Sequence, residues 1–157
     1  MALSQARIHA EIGLLITRIG RLWRREADQA LAAHGLSEAT AIPLIVLLRR
    51  GKSARQCVLA EEVGIEGPSL VRLVDLLQAE GLVERREDPT DRRAKTLHLT
   101  ALGEKRADEL DGILRRVRAH LLRNISGEDL AVTFEVLQRI EQRANRLLEA
   151  ALEKTQL

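Results

Sequence analysis

Residues 88–100, DPTDRRAKTLHLT, place two acids, two arginines and a lysine on one short connection. From Glu84 to Lys95 five cations (Arg85, Arg86, Arg92, Arg93 and Lys95) stand among four acids. A plain anion-binding patch would omit the acids. The mixture makes chemical sense if Asp88 or Asp91 holds one arginine by a salt bridge while another reaches outward. Exposed pairs add only about 0–1 kcal/mol to stability, so the value of such a pair would be positional. An outward arginine on a thin loop suits a DNA minor groove, where narrow A·T-rich tracts deepen the negative potential. The same residues also fit a charged, solvated turn, which is the reading that composition alone favours. A further arginine, Arg72, follows the segment GIEGPS at 64–69. On the outer face of a helix it either pairs bidentately with guanine, at about 1–3 kcal/mol of discrimination, or is simply solvated. Ser69 either meets a phosphate or helps the helix start, and Asp75 would repel phosphates and so narrow any contact surface.

Other chemistry is thin. Cys57 is the one thiol, which excludes an internal disulfide framework and fits a reducing compartment. His9, His34, His98 and His120 have no short metal-ligand spacing with each other or with Cys57. No glycine-rich phosphate loop, nucleophile elbow or serine–histidine arrangement is present. The expectation is therefore neither an enzyme nor a metal or cofactor protein. Aromatic residues make up 1% of the chain, so the stacking platforms of single-strand binders are missing, and any nucleic-acid target would be a duplex. Net charge is only +2, but Arg49, Arg50, Lys52 and Arg55 form a basic run with no acid between Ala39 and Ala60. No run of about 18 apolar residues exists and the first residues lack a signal-peptide pattern, so a cytoplasmic protein without a membrane partner is expected.

The elements that carry these residues follow from periodicity. Ile8, Ile12, Leu15, Ile16, Ile19, Leu22, Trp23, Ala27 and Ala30 make one stripe on a helix over 4–33, stopped by Gly35. Glu26 falls inside that stripe. A buried carboxylate needs a partner, so it reads as half of an intersubunit ion pair. A second helix, 38–50, starts at Ser37 and stops at Gly51, with Pro43 expected to kink or loosen it. Helices over 54–63 and 68–80, joined by the turn GIEGP, suggest a helix-turn-helix. The second should bury Leu70, Leu73, Val74 and Leu77 and expose Pro68, Arg72, Asp75 and Ala79. LVERR (82–86) and KTLHL (95–99) alternate with period two and predict a β-hairpin around the charged loop. Thr100 caps a long helix to about 124. Ser126 caps a last one, striped by Leu130, Phe134, Leu137, Ile140, Ala144, Leu148 and Ala151. The fold class is mostly α with a small β-hairpin wing. The compact middle is too small to cover three long striped helices, so their pairing in a two-fold dimer is the simpler solution.

Residues 59–103, LAEEVGIEGPSLVRLVDLLQAEGLVERREDPTDRRAKTLHLTALG, closely resemble the winged-helix core of the MarR family of transcriptional regulators. GIEGPSLVR and DRRAK look most like the SlyA branch, and RLWRREAD (21–28) is similar to that branch's first helix. The resemblance covers essentially the whole chain. It implies one domain over 1–157, with dimerisation helices at 4–36 and 101–155 around a winged helix-turn-helix core at 37–100. It further implies a homodimer on a pseudo-palindromic duplex, acting as a repressor released by a small aromatic acid. Arg72 would read the major groove, aided by Pro68 and Ser69. Arg92 or Arg93 would enter the minor groove, Asp91 would anchor the wing, and Arg86 and Lys95 would complete the contact surface. Thr90 departs from the arginine that many family members carry there, and Pro43 departs from the usual second helix. Arg18, His9 and Thr40 are the candidate effector contacts, and each is also readable as a border residue of its helix. Two rival functions remain: a dimeric winged-helix adaptor that binds protein, and an oxidant sensor acting through Cys57. Against the second, the family's peroxide sensors carry their cysteine near the first helix.

Overall fold

The computed structural model describes residues 4–91 and 94–155, with side chains as far as Ala151. The chain divides into two units, Met1–Leu121 and Leu122–Leu157.

In the first unit, α1 (Gln5–Leu31) starts at Ser4, whose hydroxyl accepts the Arg7 N–H, and it buries only Ala27 and Leu31 at its far end. Glu26, expected within the apolar stripe, is exposed in the single chain. After one 3-10 turn (Ala32–His34) and Gly35, α2 (Glu38–Arg49) enters the core with Ala41, Leu44, Ile45 and Leu47 buried. Its first turn is held from two sides. The Asp28 carboxylate of α1 accepts the Glu38 N–H at 2.7 Å, and the Thr40 hydroxyl accepts the Ser37 N–H at 3.0 Å. α2 runs unbroken through Pro43. Its ring is fully buried, and the carbonyl it leaves without a donor belongs to the exposed Ala39, where water can serve.

Gly51 and Lys52 both take φ of +78°, turning the chain sharply out of α2. The strain at Lys52 is held by two bonds: its N–H donates to Leu47 O at 2.8 Å, and its carbonyl accepts the Leu99 N–H at 2.9 Å. Next comes β1 (Ser53–Arg55), where a helix from Ala54 was expected. Three residues carry no alternation to read. They are extended because they pair antiparallel with β3 (Lys95–Leu99), Ala54 facing Leu97. β2 (Val83–Glu87) pairs on the other side of β3, with Val83 opposite Leu99, so the expected hairpin is part of a three-stranded sheet of order β1-β3-β2.

Between β1 and β2 lie α3 (Gln56–Val63) and α4 (Gly67–Ala79). The core joins Leu59 of α3, Leu70 and Leu77 of α4, Leu97 of β3, and Leu110 and Leu114 of α5 (Ala101–Leu121) to the buried face of α2. At the head of α5 the Thr100 hydroxyl donates to Gly81 O at 2.7 Å and accepts the Gly103 N–H at 2.9 Å.

The second unit is α6 (Gly127–Thr155), capped by Ser126, whose hydroxyl accepts the Asp129 N–H at 3.0 Å. Phe134, Leu137, Ile140 and Leu148 of its stripe are all exposed. Among the described residues no single helix is long and apolar enough to cross a membrane.

Candidate nucleic-acid interface

α3 ends at Gly64, whose φ of +72° lets the chain reverse within three residues before α4 begins. Leu70, Val74 and Leu77 recur at helical spacing and are buried, and Leu73 is half-buried beside them. This fixes the rotation of α4. Pro68, Ser69 and Arg72 therefore stand exposed on its outer side, with Pro68 in the first turn where its missing N–H costs nothing. Arg72 has no ion-pair or hydrogen-bond partner among the described residues. Asp75, one turn further along, is neutralised: Arg85 of β2 donates to its carboxylate at 2.8 Å, tying α4 to the sheet.

The wing is built on a buried acid. Asp88 is 6% exposed and is the buried charged residue among those described. Its Oδ1 accepts the Thr90 N–H at 2.8 Å, the Thr90 hydroxyl at 2.6 Å and the Asp91 N–H at 3.2 Å. Its Oδ2 accepts Arg55 Nε at 2.6 Å. The Arg55 guanidinium, then the Thr90 hydroxyl and N–H, hold the Asp88 carboxyl well below the usual carboxylate range. Sequence offered Asp88 or Asp91 as the holder and a wing arginine as the group held. In the structure Asp88 holds an arginine, and that arginine comes from β1. The Asp91 backbone closes the loop, its carbonyl accepting the Ala94 N–H at 2.9 Å. Arg86 pairs with Glu84 of its own strand at 2.8 Å, and Lys95 with Glu87 across the hairpin at 3.3 Å. Arg92 and Arg93, the candidates for the minor groove, lie outside the described residues. Burial pushes the His98 imidazole down, Arg86 adds to this and Glu84 opposes it.

The basic run that begins at the end of α2 is not a free patch. Arg49 meets Asp111 at 2.8 Å, Arg50 meets Glu62, Lys52 meets Glu104 at 2.7 Å and Arg55 meets Asp88 at 2.6 Å. Asp111 also receives Arg118 at 3.1 Å. Burial alone would raise its carboxyl, but Arg118 and Arg49 outweigh burial and hold it below its ordinary value.

The effector candidates are not brought together within one chain. His9 and Arg18 are both exposed on α1, and nine residues of helix separate them by roughly 13 Å. The Thr40 hydroxyl, besides accepting the Ser37 N–H, donates to Ser37 O at 3.0 Å and so acts as a helix cap. A separate groove lies on the α1–α2 side, lined by Arg24 and Glu38 over Ile42, Val63, Ile65 and Leu73. Sequence reasoning passed over it because its lining comes from four elements. Among the described residues no group of three or more His, Cys, Asp or Glu is placed to hold a metal ion.

Comparison with known proteins matches this geometry. The family model described as MarR family matches residues 34–94. The crystal structure of the transcriptional regulator PA3341 is 37% identical, over 86% of this chain and 98% of that one, with a TM-score of 0.78. A MarR-family transcriptional regulator from Rhodococcus sp. RHA1 is 27% identical over 87% and 96% of the two chains, with a TM-score of 0.77. The fold is also that of a cysteine-to-serine mutant of MarR from E. coli complexed with operator DNA, at 19% identity over 88% and 99% and a TM-score of 0.75. The chain belongs to the MarR family of DNA-binding, winged-helix transcriptional regulators.

Proposed function

We propose that this regulator is a homodimeric repressor of a pseudo-palindromic operator, released by a small aromatic carboxylate. The observation that carries the DNA contact is Arg72: an exposed guanidinium without a partner among the described residues, on the outer side of a helix whose one acid, Asp75, is paired with Arg85. On this reading α4 enters the major groove with Pro68 and Ser69 leading, and Arg72 selects a guanine. Arg86, Asp91 and Lys95 belong to the wing, which carries Arg92 or Arg93 into the minor groove. Two such helices roughly 34 Å apart fit successive major grooves. Operator DNA in the E. coli MarR complex supports the target.

Dimerisation is supported by the rows of apolar side chains left exposed along two long helices. On α1 the side chains of Ile8, Ile12, Leu15 and Ile19 are exposed, as are Phe134, Leu137 and Ile140 on α6. The chain then acts as one domain, with helices at 4–36 and 101–155 forming the dimer around the winged core at 37–100. The segments GIEGPSLVR and DRRAK support a place in the SlyA branch. Arg18, with His9 and Thr40, is the anchor for a carboxylate, and a second chain supplies the proximity that one helix cannot. The effector works only through different affinities for the DNA-competent and incompetent dimers. The test is a gel shift on the duplex of the protein's own promoter region. Arg72→Ala should weaken and relax binding by about 5- to 150-fold, from about 1–3 kcal/mol of lost discrimination. Binding as tight and selective as wild type would sink the assignment of α4.

A further inference from the structure

We propose that Arg55 is a positioning residue for DNA binding: from β1 it clamps Asp88 and Thr90 and so sets the course of the wing loop. The inference rests on the DNA-binding reading above and concerns how the wing is aimed. Arg55 uses two arms. Its Nε donates to Asp88 Oδ2 at 2.6 Å, and a terminal nitrogen donates to Thr90 Oγ1 at 2.8 Å. Thr90 in turn donates that hydroxyl to Asp88 Oδ1 at 2.6 Å, so the three side chains close a ring. The backbone N–H groups of Thr90 and Asp91 point at the same Oδ1, at 2.8 and 3.2 Å. The loop is thus wrapped on one carboxylate, and it leaves that turn at Asp91, directly before Arg92 and Arg93.

The other end of the clamp decides what it does. Arg55 is the last residue of β1 and the N-cap residue of α3, the first helix of the helix-turn-helix. Its guanidinium therefore ties the wing loop to the start of that motif. Asp75–Arg85 ties the recognition helix to the wing's first strand. Helix and wing are held as one body by two ion pairs on different elements. Both arms of Arg55 that carry this tie point at the wing, so its part in binding is indirect. The competing reading makes Arg55 a phosphate contact, the last cation of a basic run.

A double-mutant cycle separates the two readings. Operator affinity is measured by gel shift for the full chain, for Arg55→Gln, for Arg92→Ala/Arg93→Ala, and for all three changes together, with thermal midpoints recorded for each. The clamp predicts that Arg55→Gln weakens binding about tenfold when the wing arginines are present and less than about twofold when they are gone. Thr90→Val, which removes the second arm's acceptor on an exposed residue and leaves the fold alone, should reproduce part of the effect with the same coupling. Equal losses in both backgrounds overturn the proposal, because Arg55 then acts directly or through overall stability. No loss from Arg55→Gln, with a clear loss from Arg92→Ala/Arg93→Ala, overturns the clamp and leaves the DNA reading intact. No loss from the wing arginines or from Arg72→Ala overturns the DNA reading and the clamp with it.

Discussion

Replacing Gly103 by alanine should destabilise the protein, although helix propensity argues the opposite. Glycine inside a helix costs about 1 kcal/mol relative to alanine, so the change ought to help wherever a methyl group fits. At Gly112, in the same helix, it fits: the nearest atom to an added Cβ is the flexible Arg115 guanidinium, 3.9 Å away. At Gly103 the Cβ would stand 2.9 Å from the Leu82 carbonyl carbon and 3.3 Å from its Cα, and closer still to its oxygen. That oxygen cannot yield alone, since it accepts the Thr100 N–H at 3.1 Å. Either α5 or the Gly81–Leu82 segment must retreat, and the bonds at the head of α5 loosen with it. Overpacking of this kind costs about 1–3 kcal/mol, and each net hydrogen bond weakened adds up to about 1 kcal/mol. Against a propensity gain of about 1 kcal/mol, the net loss is about 3 kcal/mol, a large share of the roughly 5–15 kcal/mol that holds a domain together. In a chain of this length the thermal midpoint should fall by about 6–12 °C. Gly112→Ala should raise it slightly. Both are read by thermal or urea unfolding at one fixed protein concentration, because association would shift the midpoint by itself. Gly103→Ala at or above the wild-type midpoint would refute the reasoning.

Two further outcomes follow from the charges and from the bare apolar faces. A carboxyl whose folded value is depressed adds stability above its ordinary value and loses it as pH falls. Urea stability of the wild type should therefore fall as pH drops below the ordinary carboxylate value near 4, and Asp88→Asn should flatten that slope; equal slopes would show that Asp88 is not held ionised. If α6 is a dimer helix, Leu137→Glu places a charge on its apolar face, and sedimentation should show a monomer where the wild type sediments as a dimer. A wild-type monomer at micromolar concentration would remove the dimer.

The sequence was most legible where one period ran long enough to be counted. The spacing of Leu70, Val74 and Leu77 is enough to fix the rotation of α4, and with it the outward position of Arg72. The alternation of LVERR and KTLHL fixes the hairpin for the same reason. β1 was invisible because three residues carry no period, and its partner strand lies far along the chain. Gly103 was equally hidden, since a glycine in a helix reads as a weak position until the carbonyl it touches is known. Asp88 was half-legible: its residue type marked it as a strut, but nothing local points from position 88 to position 55.

The basic run shows why charge is the hardest property to read from a chain. Arg49, Arg50, Lys52 and Arg55 sit together with no acid within reach in sequence, which is how a phosphate-binding stretch looks. Folding brings Asp111, Glu62, Glu104 and Asp88 to them from α5, α3 and the wing. The run thereby becomes a set of ties between elements, and each tie removes a cation from the charge available to DNA. Exposed pairs contribute little to stability, so what they supply is alignment: two to α5, one to α3 and one to the wing loop. Asp75, the acid that should repel phosphates, is cancelled in the same way by Arg85. With Asp75 paired off, Arg72 stands exposed on the outer side of α4 with no partner among the described residues. With a net charge of only +2 and these cations tied, the proposed DNA contact rests on a few accurately placed guanidinium groups rather than on bulk attraction, and the ties would be what places them.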